Sequence, residues 1–172
     1  MVTAWPEAVE RVSSFLRDAG AEARIEEFPL GTPTAADAAS AVGCGLDQIV
    51  KSLVLVCDER RVVALVPGDR RGDTDKIARA AKATTARIAS ADEVAQATGF
   101  APGAVAPFPL PHVDLVLMEP SLLRHPIVWV GAGSSRHMVG IAPAELQRLA
   151  QARPMDVVAE PTYDSNDEPK ER

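Results

Sequence analysis

The run Gln48-Ile49-Val50-Lys51-Ser52-Leu53-Val54-Leu55-Val56-Cys57 is apolar and β-branched, with one cation near its start. Side chains alternate along a strand, so Ile49, Lys51, Leu53 and Leu55 share one face. Val50, Ser52, Val54 and Val56 share the other. Both faces are otherwise apolar, the pattern of a strand covered on both sides. A lysine in such a strand must snorkel to an edge, meet an anion or lose proton affinity. Two readings stay open on the strand alone: a snorkelling lysine at a strand start, and a site lysine facing an anionic or ester-bearing ligand.

Outward from this run, Asp58-Glu59-Arg60-Arg61 predicts a tight connection, and Val62–Val66 the returning arm of a hairpin closed by Pro67-Gly68. On the N-terminal side, apolar spacing predicts a helix over 6–19, ended by Gly20, then a strand over Ala23–Phe28. Thr34 is an N-cap with Asp37 three residues on, and that helix stops at Gly43. Downstream, Asp73 caps a helix over Thr74–Ala81, Ala86–Ala89 is a short strand, and Ser90-Ala91-Asp92-Glu93 is a capping box for a helix ending at Gly99. Strands follow at Asp114–Met118, Ile127–Val130 and Met138–Ile141, with Gly131–His137 as a glycine- and serine-rich turn. Pro143 opens a helix through Ala150, and Met155–Val158 is an expected edge strand. Helices interleave with strands, but several connections are hairpins. The expected fold class is therefore α+β: a mixed, largely antiparallel sheet flanked by helices.

The 172 residues suit one domain, placed at 1–158, with an acidic tail over 159–172 expected to be disordered. Hydrophobic residues make up 47% and charged residues 24%, an ordinary soluble composition without a membrane-spanning run. With no secretory pattern at the N-terminus and two cysteines outside any CxxC, the expectation is a cytoplasmic protein with free thiols. The net charge of −6 argues against broad non-specific nucleic-acid binding. Residues 51–87, however, carry nine basic and five acidic side chains. That local excess of positive charge is either a solvated face or a small rim for a phosphodiester backbone.

Several chemistries fail on residue content. There is no GxxxxGK[ST], HExxH or GxSxG, and neither Gly43/Gly45 nor Gly131/Gly133 completes a dinucleotide fingerprint. His112, His125 and His137 lack metal-ligand spacing. Cys44 with a distant histidine would form a thiol nucleophile; the competing reading is a small filler in a Gly-Cys-Gly turn. Residues 99–112 hold four prolines and two glycines and are apolar for a loop, so they cover something or line a pocket. Gly131–Ser135 offers backbone N–H groups to an oxyanion or phosphate, or is a plain turn.

Four separated segments together resemble a family. They are Thr34–Ala39 with Gly43 and Ile49–Val54; the Gly103–Phe108 loop; Trp129–His137; and Ala142-Pro143-Ala144-Glu145-Leu146. In this order they resemble the YbaK/ProX group of trans-acting aminoacyl-tRNA deacylases, similar to the editing domain of bacterial prolyl-tRNA synthetases. The resemblance implies a YbaK-like, barrel-like sheet and an editing hydrolase without metal or cofactor. It cleaves the ester of mischarged tRNA, of the Cys- or Ala-tRNA-Pro type, at the 3′ acceptor end. Such hydrolysis removes the errors that a synthetase cannot reject by binding alone. The implied catalytic residue is Lys51, as a charge-stabilising cation. The implied substrate contacts are Thr34, Gly103, Pro107, Phe108, Gly131, Gly133, Ser134 and His137, with Gly103–Phe108 walling a small amino-acid pocket. Prolyl-tRNA synthetase is an implied partner, and the expected state is a monomer or weak homodimer. A catalytically silent module of the same fold, holding a tRNA end, a nucleotide or a synthetase, is the alternative.

Overall fold

A computed structural model describes residues 5–160. Its strands form two sheets. Strands β1 (Arg24–Glu27), β6 (Val128–Ser134) and β7 (His137–Ile141) make the smaller, in the order β1-β7-β6, all antiparallel. Strands β2 (Val50–Cys57), β3 (Arg60–Pro67), β4 (Ala86–Ile88), β5 (Leu115–Met118) and β8 (Arg153–Pro154) make the larger, in the order β4-β2-β3-β5-β8. The β2–β3 and β2–β4 pairs are antiparallel, whereas β3–β5 and β5–β8 are parallel. A single parallel bridge, Ile49 to Trp129, links the sheets where β2 begins. The α+β, mixed and largely antiparallel expectation holds, but the sheets do not close into a barrel.

Residue alternation explains the layers. Val50, Val54 and Val56 of β2, with Val63 and Leu65 of β3, face the main core. Opposite them lie Val128, Val130, Val139 and Ile141 of the smaller sheet and the apolar stripes of α1 (Glu7–Asp18), α4 (Ala91–Thr98) and α5 (Pro143–Ala150). Leu53, Leu55 and Cys57 face the other way, into a second core with Val62, Ala64 and Val66, helix α3 (Thr74–Ala80) and Val157–Val158. Helix α2 (Ala35–Val42) lays Ala38 and Ala39 on Ile49 and Met138. The strand carrying Lys51 is thus covered on both faces, and each fully buried Val or Leu on it contributes about 1.5–3 kcal/mol.

The helix ends follow local chemistry. The Thr34 hydroxyl accepts from the Asp37 N–H, and Gly43 takes φ +73°. Ser90 and Glu93 form the expected reciprocal box, and Gly99 takes φ +72°. Glu93 also meets the Arg87 guanidinium, which with the Ser90 N–H lowers its carboxyl to about 2.

Three expectations are corrected. The edge strand is Arg153–Pro154, pairing with Leu117 and Met118, and not Met155–Val158, which forms the isolated Gly72–Val158 bridge and single backbone bonds to Met118 and Asp73. The turn expected over Gly131–His137 is confined to Ser135 and Arg136: β6 runs to Ser134 through a bulge, and β7 starts at His137. Glycines inside a strand mark such bulges and close backbone approaches. Of the expected tail, Ala159 and Glu160 are anchored, by Ala159 N–H to the Arg71 carbonyl and by a Glu160–Lys76 pair; residues 161–172 lie outside the described residues.

Gly133 has a backbone reason to be glycine. Its φ is +100°, and a Cβ there would lie 2.9 Å from the Ala8 carbonyl carbon and oxygen in α1. Gly133→Ala is expected to lower the unfolding free energy by about 1–3 kcal/mol in urea titration. Gly20→Ala, which shares the positive φ (+64°) but has open space around it, is expected to cost less.

Candidate functional site

Beside the start of β2 lies a cavity of about 250 Å³. Its floor is Ile49–Ser52, its roof the Thr32–Thr34 connector with the first turn of α2, and its far wall Gly131, Ser134 and the β6–β7 turn. Gly103 and Val105 close one side.

The site lies where the second edge of β2 passes from one partner to another: β6 meets it at the Ile49–Trp129 bridge, and β4 does not begin until Leu55. Strand β3 pairs along the whole of β2, but β4 reaches only Leu55–Cys57. The Val54 carbonyl accepts from Ala89, so Val54 points its backbone groups to the β4 edge. Backbone direction alternates along an antiparallel strand, which places the Ser52 N–H and C=O on that same edge, beyond the end of β4. A free strand edge offers a donor and an acceptor to a ligand.

Lys51 is half-buried in this floor. Its ammonium donates to the Arg70 carbonyl at 2.7 Å. Loss of water around it lowers its pKa below the usual lysine value; Asp69 opposes that shift and Arg71 adds to it. The ammonium is therefore not fully solvated, and no carboxylate among the described residues is in contact with it. Among the described residues it is held by one neutral acceptor, with donors to spare.

The β6–β7 turn forms a polar corner. Ser134 Oγ accepts the Arg136 N–H at 3.0 Å and lies 2.6 Å from His137 Nδ1. His137 is only 3% exposed, its ring meets Trp5 edge-on at 5.4 Å, and its Nε2 has no hydrogen-bond partner among the described residues. Burial lowers its pKa, with Glu27 opposing and Arg136 assisting. Backbone contacts lock the corner to the roof: the Ser135 carbonyl accepts from the Thr32 N–H at 2.6 Å and from the Thr32 hydroxyl at 3.2 Å.

Of the residues singled out from sequence, Lys51, Thr34, Gly103, Gly131, Ser134 and His137 border this one cavity. Three do not. Phe108 is 1% exposed and stacks on Phe15 at 5.3 Å, because an aromatic ring gains more in the core than on a polar pocket wall. Pro107 is buried beside it and lines a separate cleft with Phe15 and Leu149. Gly133 serves the approach of α1. Of the Gly103–Phe108 segment only Gly103 and Val105 border the cavity, and the Val105 carbonyl comes within 2.9 Å of where a Cβ on Gly131 would be. Ser52 and Val105 were not singled out. Ser52 had a signal, as the one hydroxyl in a row of valines.

Cys44 stays outside the cavity. Its thiol donates to the Gly45 carbonyl at 3.3 Å, and burial with the nearby Asp47 charge raises its pKa. Both effects oppose a thiolate nucleophile. The basic segment is largely spent on internal contacts. The Arg60 guanidinium meets the Ala81 carbonyl, Arg70 the Ala159 carbonyl, Lys76 two carboxylates and Arg87 Glu93. That favours a structural face over a broad phosphate rim.

Residues 31–149 match the model of the aminoacyl-tRNA editing domain. This chain belongs to that family. An uncharacterized Bacillus subtilis protein, YwhH, is 32% identical over 127 residues, covering 73% of this chain and 80% of its own length. A Bacillus licheniformis proline–tRNA ligase is 34% identical over 94 residues; the match spans 52% of this chain but only 16% of the ligase. A crystal structure of a proposed trans-editing enzyme for prolyl-tRNA synthetase superposes with a TM-score of 0.85 at 34% identity, covering 91% of this chain and all of that one. Among the described residues no helix is long and apolar enough to cross a membrane.

The His137 environment makes a pH prediction. Below its lowered pKa the ring is charged in both folded and unfolded states, and burying that charge costs stability. Above the ordinary 6.5 it is neutral in both, and the cost is gone. Stability is expected to rise with pH through this window, and His137→Gln to flatten that rise in urea melts from pH 5 to 7. A His137 NMR titration midpoint at or above 6.5 would contradict the burial argument.

Proposed function

We propose that this protein is an aminoacyl-tRNA deacylase acting in trans. It hydrolyses the ester that joins a small wrong amino acid to the 3′ end of a tRNA, with Cys- or Ala-tRNA-Pro as the substrate type. One observation carries this reading: a partly desolvated ammonium, Lys51, a free strand edge at Ser52 and the Gly131–Ser134 corner surround one cavity of about 250 Å³. That volume lies below the roughly 300–1,000 Å³ of drug-sized sites, so it suits a small aminoacyl group and not a large one.

In this reading water adds to the ester carbonyl, and the charge that develops on its oxygen is stabilised by the Lys51 ammonium. The intermediate then collapses, the C–O bond to the ribose breaks, and the ribose oxygen takes up the proton that the attacking water gives up, as free tRNA and amino acid leave. Lys51 works by charge and position, because among the described residues its ammonium is bonded to a carbonyl, that of Arg70, and not to a base that would activate it as a nucleophile. The Ser52 edge and the backbone at Gly131 orient the aminoacyl group. Thr34, Gly103 and Ser134 border the ribose and the terminal adenosine, and His137 steadies the Ser134 hydroxyl. Val105 limits side-chain size. The relatives tied by name to prolyl-tRNA synthetase support tRNA-Pro as the carrier and that synthetase as a partner. We place the protein in the cytoplasm as a monomer or weak homodimer, its editing domain spanning 1–158.

The test is ester loss from tRNAs mischarged with Cys, Ala, Ser and Pro, with enzyme in excess. Hydrolysis of Cys- or Ala-tRNA-Pro is expected, and Lys51→Ala is expected to slow it by about 10²–10³-fold. Cys44→Ala is expected to retain wild-type rates. Loss of activity in Cys44→Ala with Lys51→Ala active would instead identify a thiol enzyme. Binding of tRNA without hydrolysis of any ester would identify a silent module.

A further inference from the structure

The Lys51 ammonium is held by a loop that has no regular structure of its own. The segment Gly68–Asp73 follows β3, folds back over β2 and places the Arg70 carbonyl 2.7 Å from Lys51 Nζ. Gly72 rests on Leu53, where an added Cβ would come within 2.6 Å of Leu53 Cδ1. Along the outer side of this loop runs the C-terminal segment Asp156–Glu160, beyond the stretch 31–149 that matches the family model. The two are bonded at consecutive positions. The Asp73 N–H donates to the Val157 carbonyl at 2.9 Å, Gly72 bridges Val158, and the Ala159 N–H donates to the Arg71 carbonyl at 2.8 Å. Arg70 Nη2 closes the set on the Ala159 carbonyl at 2.6 Å. Lys76 fastens both ends of the segment, to Asp156 at 3.0 Å and Glu160 at 3.1 Å.

We propose that Asp156–Glu160 is a strap that positions the site lysine, with Arg70 as the positioning residue that joins the two. Arg70 is bonded at both ends: its carbonyl receives the Lys51 ammonium and its guanidinium grips the strap. Without the strap the loop carbonyl has nothing on its outer side to fix its direction, and an untethered lysine samples many rotamers. The charged groups near the ammonium are Asp69 and Arg71 on the same loop, so the loop's position also sets the local field. The role given to Lys51 rests on the proposed deacylase reading; the strap-to-lysine coupling is a structural statement that can fail or hold separately.

The experiment is competitive acetylation of the full-length protein by acetic anhydride, read for each lysine by mass spectrometry, beside deacylation kinetics. Arg70→Met keeps the side-chain stem and removes the grip on Ala159. It is expected to raise the Lys51 labelling rate about five-fold, the scale of one lost hydrogen bond, while Lys82 labels as before. On Cys- or Ala-tRNA-Pro it is expected to lower kcat about as much, with KM unchanged. Arg70→Lys is expected to restore part of both. The paired variant Asp156→Asn with Glu160→Gln changes only exposed side chains and loosens the strap without substituting a loop residue; about a two-fold rise in Lys51 labelling is expected. Unchanged Lys51 labelling in both Arg70→Met and the paired variant overturns the proposal. Raised labelling in a protein that hydrolyses none of the esters supports the strap and rejects the deacylase reading.

Discussion

The structure turns on one ammonium placed in a strand that is covered on both faces. Charge in such a place must be compensated. Here the compensation is partial: a single carbonyl from Arg70 and a carboxylate at longer range from Asp69. Lys51 is tolerated because it sits at the start of β2, where the second sheet has begun to diverge and β4 has not yet arrived. The same divergence leaves Ser52 between the Ile49–Trp129 bridge and the end of β4. A cation short of partners and a strand edge short of partners therefore arise from one topological fact, and the cavity is the space between them.

The rest of the site depends on backbones brought unusually close. Gly131 lets the Val105 carbonyl approach β6, and so lets the 99–112 loop form a wall. Thr32 ties the α2 connector to the Ser135 carbonyl, which fixes the roof to the far wall. Gly133 admits α1 and, with Trp5, buries His137. The cavity is thus built mainly from main-chain packing, with few polar side chains. That is economical for a site whose discrimination would rest on size, since a missing or extra methylene is worth only about 1–3 kcal/mol and must be enforced by a firm wall.

Local chemistry was legible in the sequence, and long-range contacts were not. Thr34, Gly43, Ser90 with Glu93, and Gly99 mark helix ends through groups within four residues, and each was readable as such. The alternating faces around Lys51 were readable for the same reason. Phe108 was misplaced because its partner, Phe15, lies far away in the chain, and nothing local distinguishes a pocket wall from a core plug. Gly131–His137 looked like a turn because glycine is a turn residue; its real cause, backbone pressed against Val105 and Ala8, is tertiary. The Arg153–Pro154 strand has two residues and no pattern, existing only because Leu117 and Met118 are there to pair with. The excess of basic residues over 51–87 was visible, but its use on carbonyls and carboxylates of other segments was not.

The claim that Lys51, the Ser52 edge and Gly131 form one binding site is tested most directly by a crystal structure with alanyl-adenosine, its 3′ ester replaced by a non-hydrolysable amide. The account predicts density in the 250 Å³ cavity, with the amide carbonyl within hydrogen-bond distance of Lys51 Nζ and the aminoacyl group against Ser52 and Val105. An analogue bound in the cleft beside Phe108 and Leu149, or elsewhere with Lys51 still bonded only to Arg70, would contradict it.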